Sequence, residues 1–114
     1  MSTTVPDRAR AFFRDTLGLR LVAEDGFALV FDANGTMLRV SIVRELSPAQ
    51  FTVLGWEVND MDAEMDALLQ AGVTFERYEF PGLDSRGVWT APDGTKVAWF
   101  RDPDGNILSL SQHR

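Results

Sequence analysis

The chain has 114 residues and a formal net charge of −6, with 45% hydrophobic and 25% charged residues. This composition is typical of a single globular domain, and its acidity argues against nucleic acid or an anionic membrane as a partner, because both bind basic surfaces. With no cysteine, the chain offers neither a disulfide nor a thiolate metal site. The charged N-terminal segment predicts no signal peptide and no apolar run is long enough for a membrane span, so we expect a cytoplasmic protein.

The first half of the chain predicts one helix followed by three strands. Pro6 suits the first position of a helix, the apolar residues after it recur at helical spacing, and Gly18 ends it. The three strands are predicted over residues 19–23, 27–32 and 36–43. Between the last two, Asn34-Gly35 is the kind of dipeptide that closes a tight hairpin.

The second half predicts a strand, a helix and three strands, as the first half does, with one short strand over 88–90 in addition. A strand over 52–58 leads into a helix that Asn59 or Asp60 caps and that Gly72 ends. The buried stripe of this helix is predicted to contain Met61, Met65, Leu68 and Leu69. Further strands are predicted over 74–78, 88–90, 95–101 and 107–112.

Two hairpins 70 residues apart share part of their sequence. VFDANGTMLRVS at 30–41 and FRDPDGNILSLS at 100–111 are identical at Asp32/Asp102, Gly35/Gly105, Leu38/Leu108 and Ser41/Ser111. An internal duplication accounts for both the repeated hairpin and the repeated element order. The predicted fold is a single α+β domain of two βαβββ modules, over about residues 1–46 and about residues 51–114.

Strand alternation predicts which face of the sheet is buried. In the strand over 36–43, one face carries Leu38, Val40 and Ile42, and the other carries Met37, Arg39 and Ser41. We expect the apolar face of a curved sheet to pack under the two helices. The mixed face has fewer Lys, Glu and Thr than a solvent-facing surface, which favours the wall of a cavity.

The stretch ARAFFRDTLGL at 9–19 resembles the first helix of the vicinal oxygen chelate superfamily, which includes glyoxalase I, bleomycin-resistance proteins and extradiol dioxygenases. The turn DPDGN at 102–106 is similar to the closing turn of that superfamily, and the paired halves match its duplicated module. The resemblance covers nearly the whole chain. It implies a curved, incomplete-barrel mixed sheet with the helices on the convex face.

Enzymes of this superfamily hold a divalent metal ion with four side chains. The first of these positions falls about two residues before Met1, outside this chain, and the resemblance places the other three on Arg39, Val53 and Ser109. A guanidinium repels a metal ion and valine has no lone pair to donate. The one histidine, His113, stands in the penultimate position. We therefore predict no metal ion and no other cofactor.

A cavity without a metal ion predicts a binding site for a small organic molecule. Arg39 and Glu57 are expected to recognise charged or hydroxyl groups, with Ser109 as a neutral partner and Met37 and Val53 beside them. Trp99 and Trp89 are candidates for stacking on a planar ligand, although packing in the core or at an interface would explain each of them as well. We expect Arg39 to be buried, and paired either with Glu57 or with a ligand. For Tyr78 and residues 79–84 a mobile surface loop is favoured, and a rim or lid of the cavity is the alternative.

Three classes of function fit this sequence. The prediction favours a metal-independent binding protein, as the bleomycin-resistance branch of the superfamily implies. The alternatives are a metal-independent lyase or isomerase that uses Arg39 or Glu57 for acid–base work, and a dimeric interaction module without a small ligand. The short opening strand leaves an exposed sheet edge, so we expect a homodimer.

Overall fold

The structure is a computed structural model that describes residues 1–78 and 81–113. The chain forms two compact units. The first contains Met1–Pro48 and the turn Asp102–Gly105, and the second contains Ala49–Arg101 and the described residues from Asn106 onward. Each unit has the order strand, helix, three strands, so the predicted α+β class and the repeated element order are confirmed.

The first unit is a four-stranded mixed sheet with one helix. Its elements are β1 (Ser2–Thr3), α1 (Pro6–Ala11), a π-helical turn (Phe12–Thr16), β2 (Arg20–Glu24), β3 (Ala28–Ala33) and β4 (Thr36–Ile42). The strand order is β1-β4-β3-β2, with β1 parallel to β4 and the other pairs antiparallel. Asn34 and Gly35 both have positive φ, which is the conformation of a two-residue hairpin turn.

The first helix departs from the predicted regular spacing at its C-terminal end. Leu17 N donates to Phe12 O at 2.9 Å, which is the i to i−5 bond of a π-helical turn. Gly18, at φ 77°, ends the helix as predicted. Ala9 and Phe13 are fully buried, and the ring of Phe13 contacts that of Phe31 on β3, so the helix packs on one face of this sheet.

The second unit repeats this architecture. Its elements are β5 (Thr52–Glu57), α2 (Met61–Gln70), β6 (Trp89–Thr90), β7 (Lys96–Arg101) and β8 (Ile107–Gln112), in the strand order β5-β8-β7-β6. Asp60 caps α2, because its Oδ1 accepts from Ala63 N at 3.1 Å. None of the described helices is long and apolar enough to cross a membrane.

Two predictions for the second unit are wrong. Residues 74–78 do not form a strand, because only Phe75 makes an isolated bridge with Phe100 before the chain leaves the edge of β7. Leu69 is 47% exposed, so it does not belong to the buried stripe of α2, which consists of Met61, Met65 and Leu68.

Comparison of the two modules shows where their duplication breaks. In the first, β2 pairs with β3 along its length, apart from a bulge between Leu21 and Ala23. In the second, the chain leaves β7 after Glu76 and returns to it at Trp89. We call residues 77–88 the insertion; residues 79 and 80 lie outside the described part of the chain. Where the first module has the bulged strand β2, the second module therefore has the insertion.

The turn Asp102–Gly105 belongs to the first unit because it holds β1. The Asp104 carboxylate accepts from Thr3 Oγ1, from Thr4 N at 2.7 Å and from Thr4 Oγ1 at 2.8 Å. Thr3 is completely buried, and its hydroxyl also accepts from Val5 N at 3.0 Å. The repeated hairpin of the second module therefore fixes the start of the chain against β4.

Candidate functional site

Each sheet has one buried face and one open face. In the second sheet the buried face carries Ala98, Phe100, Leu108 and Leu110, all at most marginally accessible to solvent. We call the opposite side the second open face. Strand pairing assigns to it the predicted ligand-binding residues Glu57, Trp89, Trp99 and Ser109, because residues in register point to the same side of a sheet.

One row of this face places an indole beside a hydroxyl. Trp99 on β7 is in register with Ser109 on β8, which is in register with Gly55 on β5. A Cβ on Gly55 would lie 2.4 Å from Ser109 Oγ, so the missing side chain leaves room for the hydroxyl. Gly55 was not among the predicted site residues. A glycine inside a strand was the available signal, because it often marks such a close approach.

A second row crosses the same face. Glu57, Ser111, Val97 and Trp89 follow one another from β5 through β8 and β7 to β6. Glu57 is exposed, and Trp89 is half-buried at the opposite edge of the sheet. The structure therefore places these two predicted residues on one face but at opposite ends of a row.

Val53 lies at an irregular position of β5. Thr52 is in register with Ile107 and Leu54 with Leu108, so Val53 is the extra residue of a β-bulge. Its side chain is 38% exposed. A bulge alters the direction of the side chain at the extra residue, and at this position that side chain is the apolar one of Val53.

Tyr78 packs against Trp99. Their ring centroids are 5.5 Å apart and their planes make an angle of 75°, an edge-to-face contact. Burial raises the pKa of Tyr78, the Glu76 carboxylate raises it further, and Arg101 opposes the increase. The phenol is therefore neutral at pH 7. Tyr78 is the first residue of the candidate rim, of which residues 79 and 80 lie outside the described part of the chain.

Trp89 packs against the insertion. A Cβ built on Gly82 would lie 3.1 Å from Cδ1 of the indole. Asp84 closes the following turn, since its Oδ1 accepts from Arg86 N at 2.8 Å and from Val88 N at 3.0 Å. The indole of Trp89 is therefore flanked by a hydrogen-bonded turn of the insertion.

Arg39 and Met37 lie on the open face of the first sheet. Arg39 is in register with Val30 of β3, and Met37 with Asp32, whose carboxylate pairs with Arg20 at 3.4 Å. Met37 is 71% exposed and Arg39 is also exposed. The expectation of a buried Arg39 is wrong. A strand position alone does not bury a long cationic side chain, whose charged end favours water.

The positive charge of Arg39 acts on the neighbouring turn. Backbone N–H groups of Phe27 and Ala28 donate to Asp25 Oδ1 and lower the pKa of that carboxyl, and Arg39 contributes a smaller lowering. Asp25 is therefore a fixed, ionised cap of the β2–β3 turn.

The positions that the resemblance assigns to metal ligands carry side chains that do not suit a metal ion. Arg39 presents a cation, Val53 has no donor atom, and Ser109 offers a neutral hydroxyl beside Gly55. Within residues 1–78 and 81–113, no group of three or more His, Cys, Asp or Glu side chains is placed to hold a metal ion. None of these three positions carries the imidazole or carboxylate that a divalent ion prefers.

The chain belongs to the glyoxalase/bleomycin resistance protein/dioxygenase superfamily, whose family model matches residues 2–110. A search of curated proteins finds no match. The predicted resemblance to the vicinal oxygen chelate superfamily is thereby confirmed.

Solved structures share the fold at low sequence identity. Lactoylglutathione lyase from Agrobacterium tumefaciens is 20% identical with a TM-score of 0.76, covering 98% of this chain and 88% of that one. TioX from Micromonospora sp. ML1 is 21% identical with a TM-score of 0.75, covering 100% and 94%. A superfamily member from Sphaerobacter thermophilus DSM 20745 is 21% identical with a TM-score of 0.74, covering 99% and 94%.

Proposed function

We propose that this protein binds a small organic molecule on the second open face and does so without a metal ion. The observation that carries the proposal is the row Trp99, Ser109 and Gly55. Ser109 is a position that the resemblance assigns to a metal ligand, and the indole of Trp99 is next to it in the row. Apolar surface with a few polar groups is the usual composition of a small-molecule site. A cytoplasmic location, with no nucleic acid or membrane as partner, is part of the same proposal.

The side chains define the chemistry of the ligand. The indole of Trp99, which is half-buried and in edge-to-face contact with Tyr78, is the aromatic group that we assign to a planar ring of the ligand. Glu57 is a carboxylate of this open face and accepts hydrogen bonds only, so it selects an amine, an amide N–H or a hydroxyl.

The test is a calorimetric screen of planar heteroaromatic compounds, followed by variants. Trp99→Ala should weaken a bound compound by about tenfold or more, since truncated aromatic anchors typically cost about 2 kcal/mol. Glu57→Gln should weaken amine-bearing compounds and spare neutral ones. Trp56→Phe is the matched control, because Trp56 is on the buried side of the same sheet and contacts Phe100.

Three results would count against the proposal. If the wild type and Trp99→Ala bind every compound found with equal affinity, the binding site does not lie on this face. Stoichiometric zinc, nickel, iron or manganese in protein purified without a metal-affinity tag would contradict metal independence. Turnover of a bound compound would instead identify an enzyme of the same superfamily.

The proposal includes a homodimer. The pairing of β1 with β4 is limited to Ser2 and Thr3 against Ser41 and Ile42, so β1 covers only the end of β4. Phe27 and Met37 of the same unit are also 77% and 71% exposed. Uncovered strand edges and exposed apolar side chains favour a second chain. Sedimentation equilibrium at micromolar concentration should give twice the chain mass, and a monomer would contradict this.

A further inference from the structure

A groove of about 410 Å³ lies on the helix side of the second unit. It is lined by Met65, Leu69, Thr74, Phe75, Arg77 and Arg86. Phe75 bridges Phe100, whose side chain belongs to the buried face, so the groove and the second open face are on opposite sides of this sheet. Its volume falls within the range of about 300 to 1,000 Å³ that is usual for small-molecule sites.

The floor of the groove is apolar. Met65 and Phe75 are buried, and Leu69, one helical turn after Met65, lies on the same side of α2 but is 47% exposed. The segment that follows the helix makes only one bridge to β7 instead of forming a strand. An apolar ligand would remove the exposed part of Leu69 from water, which is favourable in proportion to the area covered.

The two arginines of the groove differ in their partners. Arg86 donates to Asp66 Oδ1 at 2.7 Å and to Asp62 Oδ1 at 3.3 Å, so its charge is neutralised and its guanidinium is fixed. Arg77 is exposed and makes no hydrogen bond or ion pair within the described part of the chain. Of these two arginines, Arg77 is therefore the one whose donors no described residue uses.

We propose that this groove is a second binding site, for a small amphipathic anion: a carboxylate on an apolar chain or ring. Arg77 takes the carboxylate, because its planar guanidinium matches two carboxylate oxygens. Leu69 and Phe75 cover the apolar part, and the exposed Thr74 stands beside the charged end. Arg86, whose guanidinium is fixed by Asp62 and Asp66, also lines the groove. This site is independent of the one proposed for the second open face.

The experiment uses octanoate as the probe and backbone amide signals of the full chain as the readout. Octanoate should shift the signals of Leu69, Thr74 and Arg77 in a saturable way, whereas octylamine should not. Arg77→Gln should weaken octanoate by about tenfold, as expected for one lost charge-assisted contact. Arg44→Gln is the matched control, because Arg44 is also exposed but lies in the first unit.

Two outcomes would overturn the proposal. The first is an absence of saturable shifts at these residues, or equal octanoate affinity in Arg77→Gln and the wild type. The second is a set of shifts centred on Val97, Trp99 and Ser109, which would place octanoate on the second open face instead. The open-face site is tested by Trp99→Ala and the groove by Arg77→Gln, with different probes, so failure of one and failure of the other are distinguishable.

Discussion

Replacing Asp104 by alanine should lower the free energy of unfolding by about 2 to 4 kcal/mol. The carboxylate accepts three hydrogen bonds from Thr3 and Thr4, and hydrogen bonds to a charged acceptor are stronger than neutral ones. Without it, the fully buried hydroxyl of Thr3 loses its acceptor, and an unsatisfied buried donor is costly. Urea unfolding of both proteins measures the difference.

Two further variants separate this contact from general damage to a turn. Asp93→Ala removes a carboxylate that accepts from Thr95 within its own turn, so it should cost less than Asp104→Ala. In a double-mutant cycle, Thr3→Val combined with Asp104→Ala should cost less than the sum of the single changes, by about 1 to 2 kcal/mol. Additive losses, or equal losses from Asp93→Ala and Asp104→Ala, would show that the turn does not hold β1.

The same contact connects the stability of the chain to the sheet whose open face carries Arg39. Ser41 N donates to Met1 O at 2.8 Å and Val43 N to Thr3 O at 2.9 Å, so β1 is hydrogen-bonded to the strand that carries Arg39. Loss of the Asp104 carboxylate loosens β1 from β4 and exposes the edge of the first sheet. We therefore expect Asp104→Ala to aggregate more readily than a variant of equal stability with its change in the buried face.

The sequence predicted the faces of the strands well because side chains alternate with a period of two. Val40, Leu108 and Leu110 are buried, and Met37, Arg39 and Ser109 lie on the opposite faces, as the pattern required. The helix ends at Gly18 and Gly72 were predictable for a similar reason. Both glycines have positive φ, which other residues rarely adopt.

The failures concern contacts between residues that are distant in the chain. Phe75 is buried, as a strand residue would be, but the strand predicted around it requires a partner along its length, and the insertion interrupts the pairing after Glu76. Leu69 has the spacing of a buried residue, but its exposure depends on the segment that follows the helix. The burial of Arg39 depends likewise on what covers the sheet, and no local pattern encodes that.

Replacing Gly87 by alanine should lower the free energy of unfolding by about 2 to 4 kcal/mol, of which about 1 to 2 comes from the backbone conformation and the rest from a clash. Gly87 has φ 86°, and a Cβ there would lie 2.5 Å from the carbonyl oxygen of Glu76. A backbone oxygen cannot rotate away as a side chain can. The insertion must therefore move from the strand edge where Glu76 N donates to Trp99 O at 2.8 Å.

Gly72→Ala is the matched control for this prediction. Gly72 also has positive φ, at 97°, but a Cβ there meets no atom within 4 Å, so only the conformational cost applies. Urea unfolding should therefore show a larger loss for Gly87→Ala than for Gly72→Ala, by about 1 kcal/mol or more. Because Arg86 precedes Gly87 and Trp89 follows closely, Gly87→Ala should also alter octanoate binding and the fluorescence of Trp89. Equal stability of the two variants would mean that the insertion tolerates a side chain at residue 87, close to the carbonyl oxygen of Glu76.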